Sequence, residues 1–179
     1  MKHRLYYVLF AVMLLTMIVH VFRNPIYDAG YKPTQNFTII SPVPAITPEE
    51  FQKQIVLLVN NERTKDELKP LNENQELDDS AKNKADDMFA KDYWAHNSPD
   101  GTAPWNQFIS AGYTYKHAGE NLARNFSSPE GTVLAWMKSP AHKSVILNPK
   151  YTETGVWVGE GKVNGIETFL IIQHFAAPL

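Results

Sequence analysis

The strongest constraint in this chain is a switch of hydrophobic period near its C-terminal end. Up to Leu147 the apolar residues recur at helical spacing. From Thr154 they fall into two runs rich in β-branched and aromatic residues, Thr154 to Gly159 and Thr168 to Phe175. Gly161-Lys162-Val163-Asn164-Gly165 between them is hairpin chemistry, so the two runs are predicted to pair as antiparallel strands. Helices first and a strand pair last predict an α+β domain, with helices layered on a sheet. The unbroken apolar stretch around Phe169 and Ile171 predicts a sheet buried on both faces.

The helical part has its own punctuation. Thr47-Pro48-Glu49-Glu50 opens a helix with a hydroxyl cap, proline in the first turn and two acids at the positive end of the dipole. Phe51, Ile55, Leu58 and Val59 give it one buried face, and it is predicted to end near Thr64. A second helix is predicted from Asp78-Asp79, with Ala81, Ala85, Met88 and Phe89 inward and Trp94 after its end. His96 to Gly101 is turn chemistry. Pro104 to Gly112 frames a short helix, and another runs through Val133, Leu134, Trp136 and Met137. Ser139-Pro140 then restarts a helix that Asn148-Pro149 stops.

Ahead of this domain lie a basic lead, Met1 to Arg4, and an uncharged run from Leu5 to Phe22. Eighteen helical residues span roughly 27 Å, close to the thickness of a bilayer's hydrocarbon core. No small-residue cleavage site follows, so residues 1–23 read as an uncleaved single-pass transmembrane anchor, with a signal peptide as the alternative. The bias of basic residues places the N-terminus in the cytoplasm and the rest outside it. Cleavage would make the protein secreted. Residues 24–47, rich in proline and small polar residues, read as a linker, and 48–179 as the folded domain.

The formal net charge is −2. Lys2, Arg4 and Arg23 precede every acidic residue, and setting them aside leaves 14 basic against 19 acidic residues. Neutralising phosphates needs a basic face, so nucleic acid is not an expected partner. Without cysteine, the chain has no disulfide, no thiolate metal site and no thiol nucleophile.

Four segments in order carry a resemblance: Ala95-His96-Asn97-Ser98, Gly119-Glu120-Asn121-Leu122-Ala123, Ser139-Pro140-Ala141-His142, and Ile146-Leu147-Asn148-Pro149 running into Tyr151 to Val156. Together they resemble the CAP superfamily of cysteine-rich secretory proteins, antigen 5 and pathogenesis-related type one proteins. Asp100 to Trp105 and the absent cysteines are similar to its bacterial, SCP-like branch. The resemblance implies an α-β-α sandwich with a central antiparallel sheet that takes in Glu120 to Arg124. It also implies a cavity lined by two histidines and two acids, matched here by His96, Glu120 and His142. The second acid's position holds Ser139, and Glu153 is the candidate to replace it.

In that setting His96, Glu120 and His142 form a ligand set suited to zinc, with a fourth position for water. The dipole of the helix opened by Ser139-Pro140 would keep His142 neutral. Each residue also has a structural explanation: a turn histidine bonded to backbone, a buried carboxylate accepting amides, and a serine that caps its helix. Ser139 and His142 share a helix face, but no Gly-x-Ser-x-Gly elbow accompanies them, and Ser98 sits where a turn favours serine. His117 and His174 read as spare, although alternation could turn His174 toward the cavity. The four tryptophans read as core or cavity wall.

The expected function is a binding module for a lipid, glycan, other envelope component or protein, held at the membrane through Leu5 to Phe22. The alternative is a metal-dependent hydrolase of peptide or envelope substrates, with Glu120 as the catalytic group. A third reading is a structural or adhesive role. Ser139 favours binding, because a hydrolase needs a base in addition to its ligands.

Overall fold

Thr47 caps the first helix, α1 (Pro48–Lys65), by accepting the Glu50 amide at 3.2 Å on its hydroxyl. The computed structural model describes residues 46–179, so the anchor, signal-peptide and linker readings of residues 1–45 lie outside the described residues. Strand β1 (Asn72–Glu73) leads into α2 (Gln75–Ala90). This helix starts three residues before Asp78, because Asn74 takes the cap and accepts the Glu76 amide. There follow α3 (Trp105–Ser110), β2 (Tyr115–Arg124), α4 (Pro129–Lys138) and α5 (Pro140–Ile146). The hairpin of β3 (Glu153–Val163) and β4 (Ile166–Pro178) ends the chain. Asn164 and Gly165 both have positive φ, the two-residue turn whose twist matches that of the flanking strands.

The four strands lie in the order β1-β3-β4-β2. β4 pairs antiparallel with both β3 and β2, while β1 runs parallel to β3. The sheet is therefore antiparallel apart from a two-residue strand that nothing in the sequence pattern marks. β2 forms one of its edges.

Register decides which residues face which layer. Glu120, His174 and Gly155 are cross-strand partners and so share a face, as do Leu122, Ile172 and Trp157 two residues along. This face is covered by α2 and α3, with Ala81, Ala85, Met88, Leu122, Leu170 and Ile172 packed together. The opposite face carries Ala123, Ile171, Phe175, Val156 and Val158 beneath α1, α4 and α5. Trp136 of α4 anchors that layer, only 2% exposed and donating its indole N–H to the Leu122 carbonyl at 3.1 Å. Burying side chains of this size contributes about 2–3 kcal/mol each, so both layers are held largely by apolar packing. The result is the helix-sheet-helix layering that the resemblance implies. Gly155 lets α2 lie flat on β3, since a Cβ there would fall on the Leu77–Asp78 backbone. Among the described residues no helix is long and apolar enough to cross a membrane.

Candidate functional site

Glu120 lies in the middle of edge strand β2, 5% exposed, with His174 of β4 directly opposite. His174 Nε2 stands 3.1 Å from Glu120 Oε2. The turn after α2 brings His96 to the other oxygen, with Nδ1 at 2.6 Å from Oε1. The carboxylate is thus held by imidazoles on both sides. Burial alone would raise its pKa, but the hydrogen bonds from His174 and His96 and the charges of His174 and Lys84 outweigh burial and hold it below the usual range.

Lys84 of α2 positions the His96 turn from below. Its side chain is 1% exposed, and its ammonium spends its three donors on Tyr93 OH at 2.8 Å, Ala95 O at 3.0 Å and His96 O at 2.6 Å. Tyr93 in turn donates to Asp87 at 2.5 Å. Burial holds the Lys84 pKa below its ordinary value, against the opposing charges of Glu120 and Asp87.

His142, half-buried on α5, has Nδ1 2.8 Å from the Ser139 hydroxyl. Its pKa is lowered first by burial and then by the charge of His96. The direction agrees with the expectation of a neutral ring, while the causes are burial and His96. Ser139 does occupy the cap position of α5 with extended backbone, but its hydroxyl makes no cap hydrogen bond and serves His142 instead. Beneath α5, Asn121 donates to the His142 carbonyl at 3.2 Å.

The structure thus joins His96 to Glu120 and Ser139 to His142, corrects the reading of His174 as spare in favour of the inward turn that alternation allowed, and adds Ser80 and Lys84. His174 is fully buried on Glu120, Ser80 bonds the far side of its ring, and Lys84 holds the His96 backbone. Glu153 shares the sheet face of Glu120 but lies beside Ala176, where it accepts from Asn74 and Tyr113. The structure pairs it with neither site histidine. Ser98 accepts from Lys91, and His117 pairs along the strand with Ala177. Among the four tryptophans only Trp136 is fully in the core; Trp94 is half-buried beneath the Arg124 guanidinium.

The zinc set of His96, Glu120 and His142 fits this arrangement poorly. Both oxygens of Glu120 are engaged by imidazoles, and among the described residues no three His, Asp or Glu side chains are disposed to hold a metal ion. Nε2 of His96 and Nε2 of His142 make no hydrogen bond within the described residues and are the donor atoms left over. They are two ligands where a catalytic zinc takes three.

Layers of helix on both sides of a sheet, with a histidine-clamped carboxylate on its edge strand, define the class of protein. The chain belongs to the cysteine-rich secretory protein (CAP) family, whose model matches residues 56–175. It is 43% identical over 114 residues to the uncharacterized protein YkwD of Bacillus subtilis, covering 63% of this chain and 44% of that one. It is 31% identical over 107 residues to the uncharacterized membrane protein YlbC of the same organism, covering 60% of this chain and 31% of that one. The chain spans less than half the length of these relatives. Among solved structures, an extracellular SCP-domain protein of Bacillus anthracis superposes with a TM-score of 0.60 at 26% identity, over 73% of this chain and 43% of that one. An outer surface protein of Borrelia burgdorferi shares the fold, with a TM-score of 0.63 at 22% identity over 75% of this chain and 97% of that one. The family model, the Bacillus subtilis relative and the Bacillus anthracis SCP-domain structure together put this chain in the family's bacterial branch.

Proposed function

We propose that this CAP domain is an extracytoplasmic binding module, tethered at the membrane through Leu5 to Phe22, that receives its ligand at the cavity of His96, Glu120, Ser139 and His142. The carrying observation is the state of Glu120. Both of its oxygens face imidazole nitrogens, so the carboxylate is spent on holding the rings and the groups left to meet a ligand are histidine edges. The second acid is replaced by a serine whose hydroxyl is turned onto His142. What remains at the surface is a pair of imidazole edges on a rigid support, suited to gripping a polar group. The tethering is supported by the length of the apolar run and by a relative that is named a membrane protein.

The test compares the full-length chain, purified from its host membranes, with a His96→Ala/His142→Ala double variant. Native mass spectrometry looks for a co-purifying lipid, glycan or peptide, and elemental analysis measures zinc. A small ligand retained by the parent and lost from the variant supports the reading. Stoichiometric zinc, together with zinc-dependent hydrolysis of envelope or peptide material that the variant lacks, would replace it with the hydrolase alternative.

A further inference from the structure

A second line of polar groups lies behind Glu120. Ser80 Oγ lies 2.8 Å from His174 Nδ1, and His174 Nε2 lies 3.1 Å from Glu120 Oε2. Glu120 Oε1 then meets His96 Nδ1 at 2.6 Å. Ser80 and His174 are wholly buried and Glu120 nearly so, while the His96 side chain is 58% exposed. This is one continuous chain of hydrogen bonds from the core to the exposed ring of His96.

We propose that His174 and Ser80 are positioning residues that lock Glu120 and, through it, present His96 Nε2 to the ligand as a hydrogen-bond acceptor. It follows that the site selects ligands bearing a donor group, such as an ammonium, hydroxyl or amide. The selection rests on the binding-module reading; the locking does not.

The placement of hydrogens decides the matter. An ionised carboxylate only accepts, so the nitrogens facing Glu120 must both carry hydrogen: Nε2 of His174 and Nδ1 of His96. In neutral His174 the other nitrogen, Nδ1, is then a lone-pair acceptor, and the Ser80 hydroxyl supplies its donor. Phe108 stacks on the His174 ring at 4.4 Å between centroids and 21° between planes, which fixes its orientation. In the neutral ring both nitrogens are therefore matched by a single tautomer; in the charged ring Nδ1–H would donate to Ser80 instead and the bond to Glu120 would stay as it is. Glu120, gripped at both oxygens, cannot rotate to offer His96 an alternative. With Nδ1–H committed, neutral His96 must turn its lone pair outward at Nε2, and Lys84 holds its backbone in place from behind. An outer partner that fixes a histidine's tautomer and orientation is a recurring means of tuning a ligand-binding ring.

The test reads the tautomers directly, by long-range proton–nitrogen correlation NMR on the full-length chain labelled at histidine. In the parent protein His96 is expected in the Nδ1–H form, by a bias on the order of tenfold or more, as befits a hydrogen bond to a charged acceptor. His174→Phe keeps the stack on Phe108 but removes the donor, and the bias should fall severalfold with backbone amide shifts elsewhere retained. His174→Gln, whose side-chain amide can still donate to Glu120, should restore it. Methylammonium should shift the His96 nitrogen signals more than tetramethylammonium, which has no donor, and the difference should shrink in His174→Phe. A parent protein with His96 in the Nε2–H form, or a folded His174→Phe variant with the bias unaltered, would overturn the positioning role. Should His174→Phe fail to fold, Ser80→Ala decides: a weakened bias supports the role and an unchanged one ends it. Equal or absent response to the two ammonium probes refutes donor selection. None of the tautomer measurements uses a natural ligand, so failed ligand capture and failed positioning are separate results.

Discussion

Replacing Lys84 by methionine should cost about 2–3 kcal/mol of stability and loosen the His96 turn, a figure that follows from its three partners. The bond to Tyr93 OH is fully buried, and losing a buried charge-assisted hydrogen bond costs about 1.5–3 kcal/mol. Ala95 and His96 lie in a turn open to solvent, so water can replace the ammonium at their carbonyls, and those losses should be about 0.5 kcal/mol each. The ammonium also lies 4.7 Å from the centre of the Tyr93 ring, a contact contributing about 1 kcal/mol. Against these stands the relief of no longer burying a charge, which offsets part of the sum. Methionine fills nearly the same volume, so no cavity term enters. Urea unfolding of parent and variant, with unchanged slope, gives the difference directly. Loss of the nearby positive charge should also raise the Glu120 pKa, because Lys84 is one of the groups holding it down. A variant as stable as the parent within about 0.5 kcal/mol, or more stable, would show that burial of the ammonium cancels its bonds.

Three further outcomes follow from individual residues. Burial first, and the charges of Glu73 and Asp79, raise the Asp78 pKa to about 6 against the hydrogen bond from Val156 N–H. The unfolded chain therefore ionises first as pH rises, and this contribution to stability is full below about pH 4 and lost between about 4 and 6; Asp78→Asn should remove that slope, worth about 1 kcal/mol once partial exposure is allowed for. His142 should titrate in NMR below the ordinary histidine value of about 6.5, and His96→Ala should bring it partway back, since the charge of His96 is the second cause of the lowering. Gly155→Ala should destabilise by about 3 kcal/mol in thermal or urea unfolding, because the new Cβ would fall on the backbone of α2 where nothing can rotate away.

What was legible in the sequence was local. Thr47 and its acids mark the start of α1, Asn164-Gly165 marks the hairpin, and the i,i+3 spacing of Ser139 and His142 becomes a hydrogen bond. β1 was not legible, because two exposed residues carry no period and are strand only through pairing with β3. In β2 the polar and small residues Lys116, His117, Gly119, Glu120 and Asn121 interrupt any alternation, so only the family resemblance pointed to a strand there. Lys84 did leave a signal: it falls within the apolar series of Leu77, Ala81, Ala85 and Met88, on the side of α2 that is buried.

His174 left almost none, and the reason explains the site as a whole. A buried carboxylate needs donors, and Glu120 takes them from a turn 24 residues before it and a strand 54 residues after it. Neither distance has meaning until β2 and β4 are in register, with Glu120 against His174 and Asn121 against Gln173. Because side chains alternate across a sheet, sliding β2 by one residue would point Asn121 toward α2 and turn Glu120 into the apolar layer under α5. The apolar neighbours exclude that slip: Leu122 and Ile172 fit the α2 layer, while Ala123, Ile171 and Phe175 fit the other. The hydrophobic pattern that holds the sheet together is thus the same information that assembles the cluster around Glu120, which is why the polar residues alone could not reveal it.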